Sequence, residues 1–344
     1  MTEPVHICFD RILPRDLYRP FVLTGPRVLR AIAVKKSLWL NGSTLKISFL
    51  EGSQAQRDFV MATSKEWMEY ANLTLDFGDY ADAQIRIGFQ EDDGAWSAIG
   101  TDCLHEDYFP KNESTMNFGW LDKAVVLHEF GHAIGLGHEH QNPKGGIQWN
   151  EPVVIEALKG PPNKWPEDVT RHNVIQKYSL NQILGTEFDP DSIMLYYFPA
   201  DWTLNGIATH ENEELSKQDK AFIASAKLYP KTGKKPEDVL VDIPVNAKKA
   251  TAASIGQPGE EDLFRFAIKN SGYYSIATSG KTDLIMRLYG PNDRTKLVDE
   301  DDDSGQAFNA RITRKLEPGE YIVQIRHANP KSGSGEYGIR VKTY

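Results

Sequence analysis

The sequence predicts an α+β domain followed by an all-β antiparallel sandwich. Three observations carry this: helical and alternating apolar spacings are mixed as far as about residue 230, a Pro- and Lys-rich segment then interrupts the chain, and only short alternating runs follow it. At roughly 100 to 200 residues per domain, 344 residues suit two domains. The hydrophobic share of 40% and charged share of 25% provide for real cores and exclude collagen-like, coiled-coil and disordered chains. The expected division is an N-terminal segment at 1–36 that is a candidate for a regulatory role, a first domain at 37–230, a linker at 231–241 and the sandwich at 242–344.

Taken in order, Leu38 to Leu50 alternates apolar and polar residues and reads as a strand, whereas Ser53 to Asn72 places Val60, Trp67 and Ala71 at helical spacing. Strands are expected at Leu73 to Phe77, Gln84 to Phe89 and Thr115 to Trp120, with a Gly-containing loop from Glu91 to Lys111. Lys123 to Gly135 is apolar and free of Pro, which predicts a helix. Another follows near Lys217 to Leu228, where Ser216 and Asp219 match a capping box. Tyr229 to Glu237, with two prolines and three lysines, suits an exposed linker. Beyond it, Leu263 to Ile268, Tyr273 to Ala277, Leu284 to Leu288, Ala310 to Leu316, Tyr321 to Arg326 and Tyr337 to Val341 read as sandwich strands separated by turns.

With 39 basic and 48 acidic residues the formal charge is -9, which argues against a general nucleic-acid binder and a polybasic membrane protein. No apolar stretch is long enough for a membrane span, and MTEPVHICFD lacks the basic-then-apolar pattern of an export signal. Cys8 and Cys103 allow at most one disulfide, so stability is expected from packing; the count suits a reducing compartment. The Asn-x-Ser/Thr matches at Asn41, Asn72 and Asn112 are read as chance.

The chemistry is concentrated in His128-Glu129-Phe130-Gly131-His132-Ala133-Ile134-Gly135-Leu136-Gly137-His138. His128 and His132, four apart on a helix, put two imidazoles on one face within reach of one metal ion. Gly135 permits the bend that returns His138 to the same ion. Three nitrogens with an open fourth position describe a catalytic zinc site. Glu129 then lies where a carboxylate can act as general base on a water attacking a carbonyl, and hydrolysis is the implied reaction. The same histidines could instead merely be packed on a helix, but the extended HExxHxxGxxH pattern, with Ser192-Ile193-Met194-Leu195-Tyr196 starting beyond it, makes that reading remote.

On these residues the sequence resembles the metzincin zinc endopeptidases, and among them the astacin-like branch, through about Lys36 to Pro230. Glu139 after the third His and Tyr196 two places after Met194 match that pattern. The resemblance implies one catalytic Zn²⁺, peptide or protein substrates, a floor formed by Met194, and a Tyr196 hydroxyl that serves as a switchable ligand and steadies the oxyanion. It also implies that Thr115 to Gly119 is the sheet edge that pairs with substrate. The chain departs from the pattern in lacking two catalytic-domain disulfides and in having Leu136 where Phe is usual.

The first 36 residues are expected to pack on the catalytic domain with Cys8 as a small buried hydrophobe, the alternative being that Cys8 or Asp10 closes the open zinc position. His6, His105, His140, His172, His210 and His327 show no ligand spacing to one another. Asp299 to Gly305 is an acidic run read as a solvated turn, with Ca²⁺ binding as a weaker option because the EF-hand Gly and Glu are missing. From Asp242 on, DLFRFAIKNSGYYSI, DDDSG and LEPGEYIVQI resemble the prepeptidase C-terminal β-sandwich, an association that favours secretion despite the missing signal. A second function stays open, a latent or weakly active zinc domain in a protein acting mainly as a binding module through its sandwich. So does hydrolysis of a non-peptide amide or ester, since a fold does not fix its substrate.

Overall fold

The computed structural model describes residues 8, 33–34, 37–160, 163–177, 183–184, 187–225, 228–231, 240–256, 260–329 and 333–344. Asp10, most of the first 36 residues and most of the expected linker lie outside them. The chain divides into a first unit ending at Leu228 and a second from Tyr229 to Tyr344, which also takes the Leu40–Ser43 turn.

In the first unit, β1 (Ala33–Val34) pairs antiparallel with β7 (Ile183–Leu184). The main sheet contains β2 (Thr44–Phe49), β3 (Thr74–Phe77), β4 (Ile85–Gly88), β5 (Ala95–Ser97) and β6 (Met116–Phe118), in the order β3-β2-β4-β6-β5. All neighbours are parallel except β5 and β6. Helix α1 (Gln54–Met68) starts from the reciprocal Ser53 and Gln56 cap, and α2 (Lys123–Ala133) from Asp122, whose side chain accepts the Val125 N–H. Buried indoles need a partner for their N–H. Trp67 donates to the Leu127 carbonyl at 2.8 Å and Trp39 to that of Ala133 at 2.7 Å, which secures α2 from two sides.

The expected edge strand is a correction: β6 is interior, and β5 forms the edge. β5 is three residues long, too short for an alternation signal, and lay inside the stretch read as a loop. The hydrogen bonds Gly119 N–H to Gly94 O and Ala98 N–H to Thr115 O fix its register. In an antiparallel pair this phase turns the main-chain groups of Ala95 and Ser97 away from β6.

The segment from Gln141 to Asp191 holds α3 (Glu151–Lys159), α4 (Glu167–Thr170) and a π-helical turn at Arg171–Ile175. Helix α5 (Lys217–Ile223) starts at the capping box of Ser216 and Asp219, and is shorter than its apolar spacing suggested. Among the described residues no helix is long and apolar enough to cross a membrane. Cys8 and Cys103 are both free and buried.

The second unit contains β8 (Leu240–Asp242), β9 (Thr251–Ile255), β10 (Glu261–Ile268), β11 (Gly272–Gly280), β12 (Leu284–Tyr289), β13 (Leu297–Asp301), β14 (Arg311–Leu316), β15 (Gly319–His327) and β16 (Gly335–Thr343). They form two sheets, β13-β12-β15-β10-β8 and β14-β11-β16-β9. Alternate residues such as Phe264, Phe266, Ile276, Met286, Ile312, Val323 and Ile339 make one buried core.

The first three residues of the acidic run, Asp299, Glu300 and Asp301, are strand rather than turn. Asp299 accepts from Arg314, Glu300 from the buried Arg287, and Asp301 from the main-chain N–H groups of Ser304 and Arg311. These carboxylates serve protein donors, and among the described residues the run assembles no metal-ligating group.

Arg86 shows how the sheet holds the loop beyond it. Its buried guanidinium donates to the carbonyls of Ala83, Phe109, Pro110 and Glu113 at 2.7–3.2 Å. Replacing Arg86 with Met leaves these acceptors without their cationic donor, and should cost about 2–4 kcal/mol in urea unfolding; a change below about 0.5 kcal/mol would remove the staple role.

Candidate metal centre and active site

Helix α2 presents His128, Glu129 and His132 from its buried side and ends in a Schellman turn. Leu136 N–H donates to Gly131 O at 2.9 Å and Gly135 N–H to His132 O at 2.8 Å, with Gly135 at φ +97°. This turn has a chemical consequence, because the Leu136 carbonyl that it positions accepts from His132 Nδ1 at 2.8 Å. His128 Nδ1 donates to Ile193 O at 2.7 Å. A carbonyl can only accept, so both rings carry their proton on Nδ1 and offer a lone pair at Nε2.

His138 follows the turn and completes the group. The three Nε2 atoms stand 3.0–3.1 Å apart. Burial, then the neighbouring His140 and His128, hold His138 well below the usual imidazole range and keep it neutral. A point equidistant from the three nitrogens is about 1.8 Å from each, just under the roughly 2.0–2.1 Å of a Zn–N bond, so an ion slightly off their plane reaches all three. The residues fit zinc. The three predicted ligands are brought together, and Glu129 lies between two of them in sequence, fully buried.

Met194 reaches beneath α2, where a Cβ on Gly131 would come within 2.3 Å of its sulfur; only glycine leaves it that space. Tyr196 lies over the histidines, its ring 4.2 Å from His138 and 5.6 Å from His128 between centroids, and its hydroxyl 3.3 Å from His138 Nδ1. The hydroxyl donates to the main-chain carbonyl of Cys8. The Cys8 sulfur is 3.9 Å from His138 Nε2, and Cys8, His128, His132 and His138 form one buried group whose ligand atoms lie within 4.8 Å of one another. Cys8 also packs with Trp149, Leu195 and Phe198, so it is a buried apolar side chain as well as a neighbour of the ligands.

A family model described as Astacin, a peptidase family, matches residues 32–221, more than half of the chain. The chain belongs to the astacin family. Two relatives from Caenorhabditis elegans are zinc metalloproteinase nas-15, 25% identical over 228 residues, and zinc metalloproteinase nas-13, 28% identical over 151 residues. These alignments cover 65% and 42% of this chain and 36% and 29% of the relatives, so it spans about a third of the length of the curated relatives it matches. A solved structure of myroilysin is 36% identical, with a TM-score of 0.55, covering 59% of this chain and all of that one.

Around this astacin-type centre the supporting contacts come from distant segments. Asp219 of the α5 cap accepts from Ser192 Oγ at 2.7 Å and Ile193 N–H at 2.9 Å, so the capping acid also anchors the turn carrying Met194. Glu139 donates its N–H to Met194 O at 2.9 Å, while its carboxyl accepts from Asn142 Nδ2 and Asp189 N–H.

His140, left without a role by the sequence, stacks on Tyr196 with centroids 4.5 Å apart and donates Nε2–H to Asn173 O at 2.9 Å. Its only sequence signal was adjacency to the motif. The partner carbonyl comes from the π-helical turn, which no periodicity announces.

Burial raises the Glu139 carboxyl from an ordinary 4.5 to about 8, against the lowering effect of its Asn142 and Asp189 donors. A carboxyl that binds its proton more tightly in the folded state stabilises fully below the unfolded value and loses that contribution as pH rises through the folded one. Glu139→Gln should therefore flatten the fall in stability between pH 4.5 and about 8, measured by chemical unfolding of metal-free protein; an unchanged slope would refute the shift.

Proposed function

We propose that this astacin-family protein is a zinc-dependent endopeptidase, and that the conformation described is its latent form. The observation that carries the first part is the convergence of three imidazole Nε2 atoms at 3.0–3.1 Å, with the buried Glu129 next to His128 in sequence. His128, His132 and His138 would hold the zinc, which when bound supplies Lewis acidity and brings water toward ionisation at neutral pH. Glu129 accepts the proton of the attacking water and delivers it to the departing amide nitrogen. Tyr196 Oη donates a hydrogen bond to the oxyanion; the Cys8 carbonyl that now accepts from it stands in for that oxygen. An extended peptide pairs with the outward main-chain groups of Ala95 and Ser97 on β5.

Latency is supported by Cys8, whose sulfur approaches the histidine nitrogens while its carbonyl engages Tyr196. With zinc bound, a Cys8 thiolate there would serve as a fourth ligand and exclude the water that hydrolysis needs. The same contact favours the latent half of the binding-module reading, and activity after Cys8 is displaced separates the two.

Glu129→Gln should retain one zinc per chain while lowering kcat/KM on a peptide library about 10²–10⁴-fold. Tyr196→Phe should lower kcat about 10²–10³-fold with little change in KM; loss of zinc in either variant would reassign the residue to structure. Cys8→Ser should raise peptide hydrolysis, and in the Co²⁺-substituted protein should abolish the thiolate-to-metal absorption of the parent. A parent without that absorption, or equal activity of the two, would sink the latency reading. An esterase that leaves every peptide intact would sink the endopeptidase reading.

A further inference from the structure

The sheet β14-β11-β16-β9 turns Tyr274, Ile276, Ile312, Ile339 and Val341 to the core, so the alternate residues face outward. The register lays them out as rows. Tyr273 stands opposite Lys315, Ser275 between Thr313 and Lys342, Ala277 between Arg311 and Arg340, and Ser279 opposite Gly338.

Arg311, Thr313, Lys315 and Lys342 are exposed and Arg340 is half-exposed. Neighbouring Arg314 points inward to Asp299 at 2.9 Å, but the four outward cations have no ion-pair partner among the described residues. Within these rows there is no carboxylate, and three border them: Glu336 at the far end of β16, Glu317 one step beyond Lys315, where it accepts from Ser271 at 3.0 Å, and Asp301, which accepts the main-chain N–H of Arg311 at 2.7 Å. At one end Tyr273 and Tyr344 are 59% and 85% exposed, large enough fractions to leave their ring faces usable.

Two rails of positive charge, Arg311 and Lys315 on β14 and Arg340 and Lys342 on β16, thus run along a floor of Ser275, Ala277 and Ser279. With strands about 4.8 Å apart the rails are separated by about 10 Å, the width of one polymer chain. In a protein of net charge -9 this is a local inversion of sign.

We propose that this face binds an acidic polysaccharide, a surface function of the sandwich independent of the peptidase reading. Carboxylates or sulfates along the polymer meet the two rails, the serine and threonine hydroxyls meet sugar hydroxyls, and Tyr273 stacks on a pyranose ring. The small floor offers no row of aromatic platforms for successive bases, which disfavours single-stranded nucleic acid. Apart from the tyrosines no large apolar side chain projects from it to enter a bilayer.

The test titrates the full chain with polygalacturonate, using dextran, poly-glutamate and a single-stranded oligonucleotide as comparisons. Polygalacturonate should bind, weaken with added salt, and exceed all three others. The combined Arg311→Gln, Lys315→Gln, Arg340→Gln and Lys342→Gln variant should bind at least tenfold more weakly with an unchanged unfolding midpoint. If that variant unfolds early, the pairs Arg311→Gln with Arg340→Gln and Lys315→Gln with Lys342→Gln should each show a smaller loss. Tyr273→Ala should weaken binding severalfold, and Lys111→Gln with Lys159→Gln should leave it intact. No binding by the parent, undiminished binding by the cation variants, or equal or tighter binding of dextran, poly-glutamate or the oligonucleotide would overturn the proposal.

Discussion

Imidazole nitrogens that converge at 3.0–3.1 Å repel one another where each presents a lone pair, and a bound cation would convert that repulsion into attraction. Much of the first unit serves to hold the rings in this otherwise unfavourable arrangement. Two of the three rings have their protons fixed on the far nitrogen by main-chain carbonyls, so their orientation and their ability to bind metal are set by the same hydrogen bonds. The proton positions of His128 and His132 are therefore a consequence of backbone geometry.

That geometry is shared among remote pieces of chain. The carbonyl for His128 belongs to the turn carrying Met194, which is anchored by the cap of α5, while the carbonyl for His132 comes from the turn that ends its own helix. Glycine enters twice for separate reasons, at Gly135 to reach a positive φ and at Gly131 to admit the Met194 sulfur. Cys8 reaches the same group of residues through both its sulfur, near His138 Nε2, and its carbonyl, which accepts from Tyr196.

Elements with a sustained period were legible in advance. α1, α2 and the long strands of the sandwich carry apolar residues at helical or alternate spacing, and each is found. α3, β5, β8, β9, β13 and the π-helical turn were not: α3 buries only Val154 and Leu158, β5, β8 and β9 are three to five residues long, β13 is acidic, and the turn has an irregular pitch. The sheet edge expected at Thr115 to Gly119 therefore lies one strand further out, at β5, and the contact of His140 with Asn173 carries no sequence signal.

The sequence by itself determined that His128, His132 and His138 meet, since four-residue spacing on a helix followed by a permitted glycine bend brings them together by local geometry alone. It also determined that an α+β unit precedes a sandwich, because apolar periodicity reports the face that each element must bury. Tertiary structure alone decided which strand is the sheet edge, which carbonyls orient the histidines, and that Cys8 meets a ring 130 residues away. Such pairings depend on how separate elements pack, and packing across long sequence separations leaves no local pattern to read.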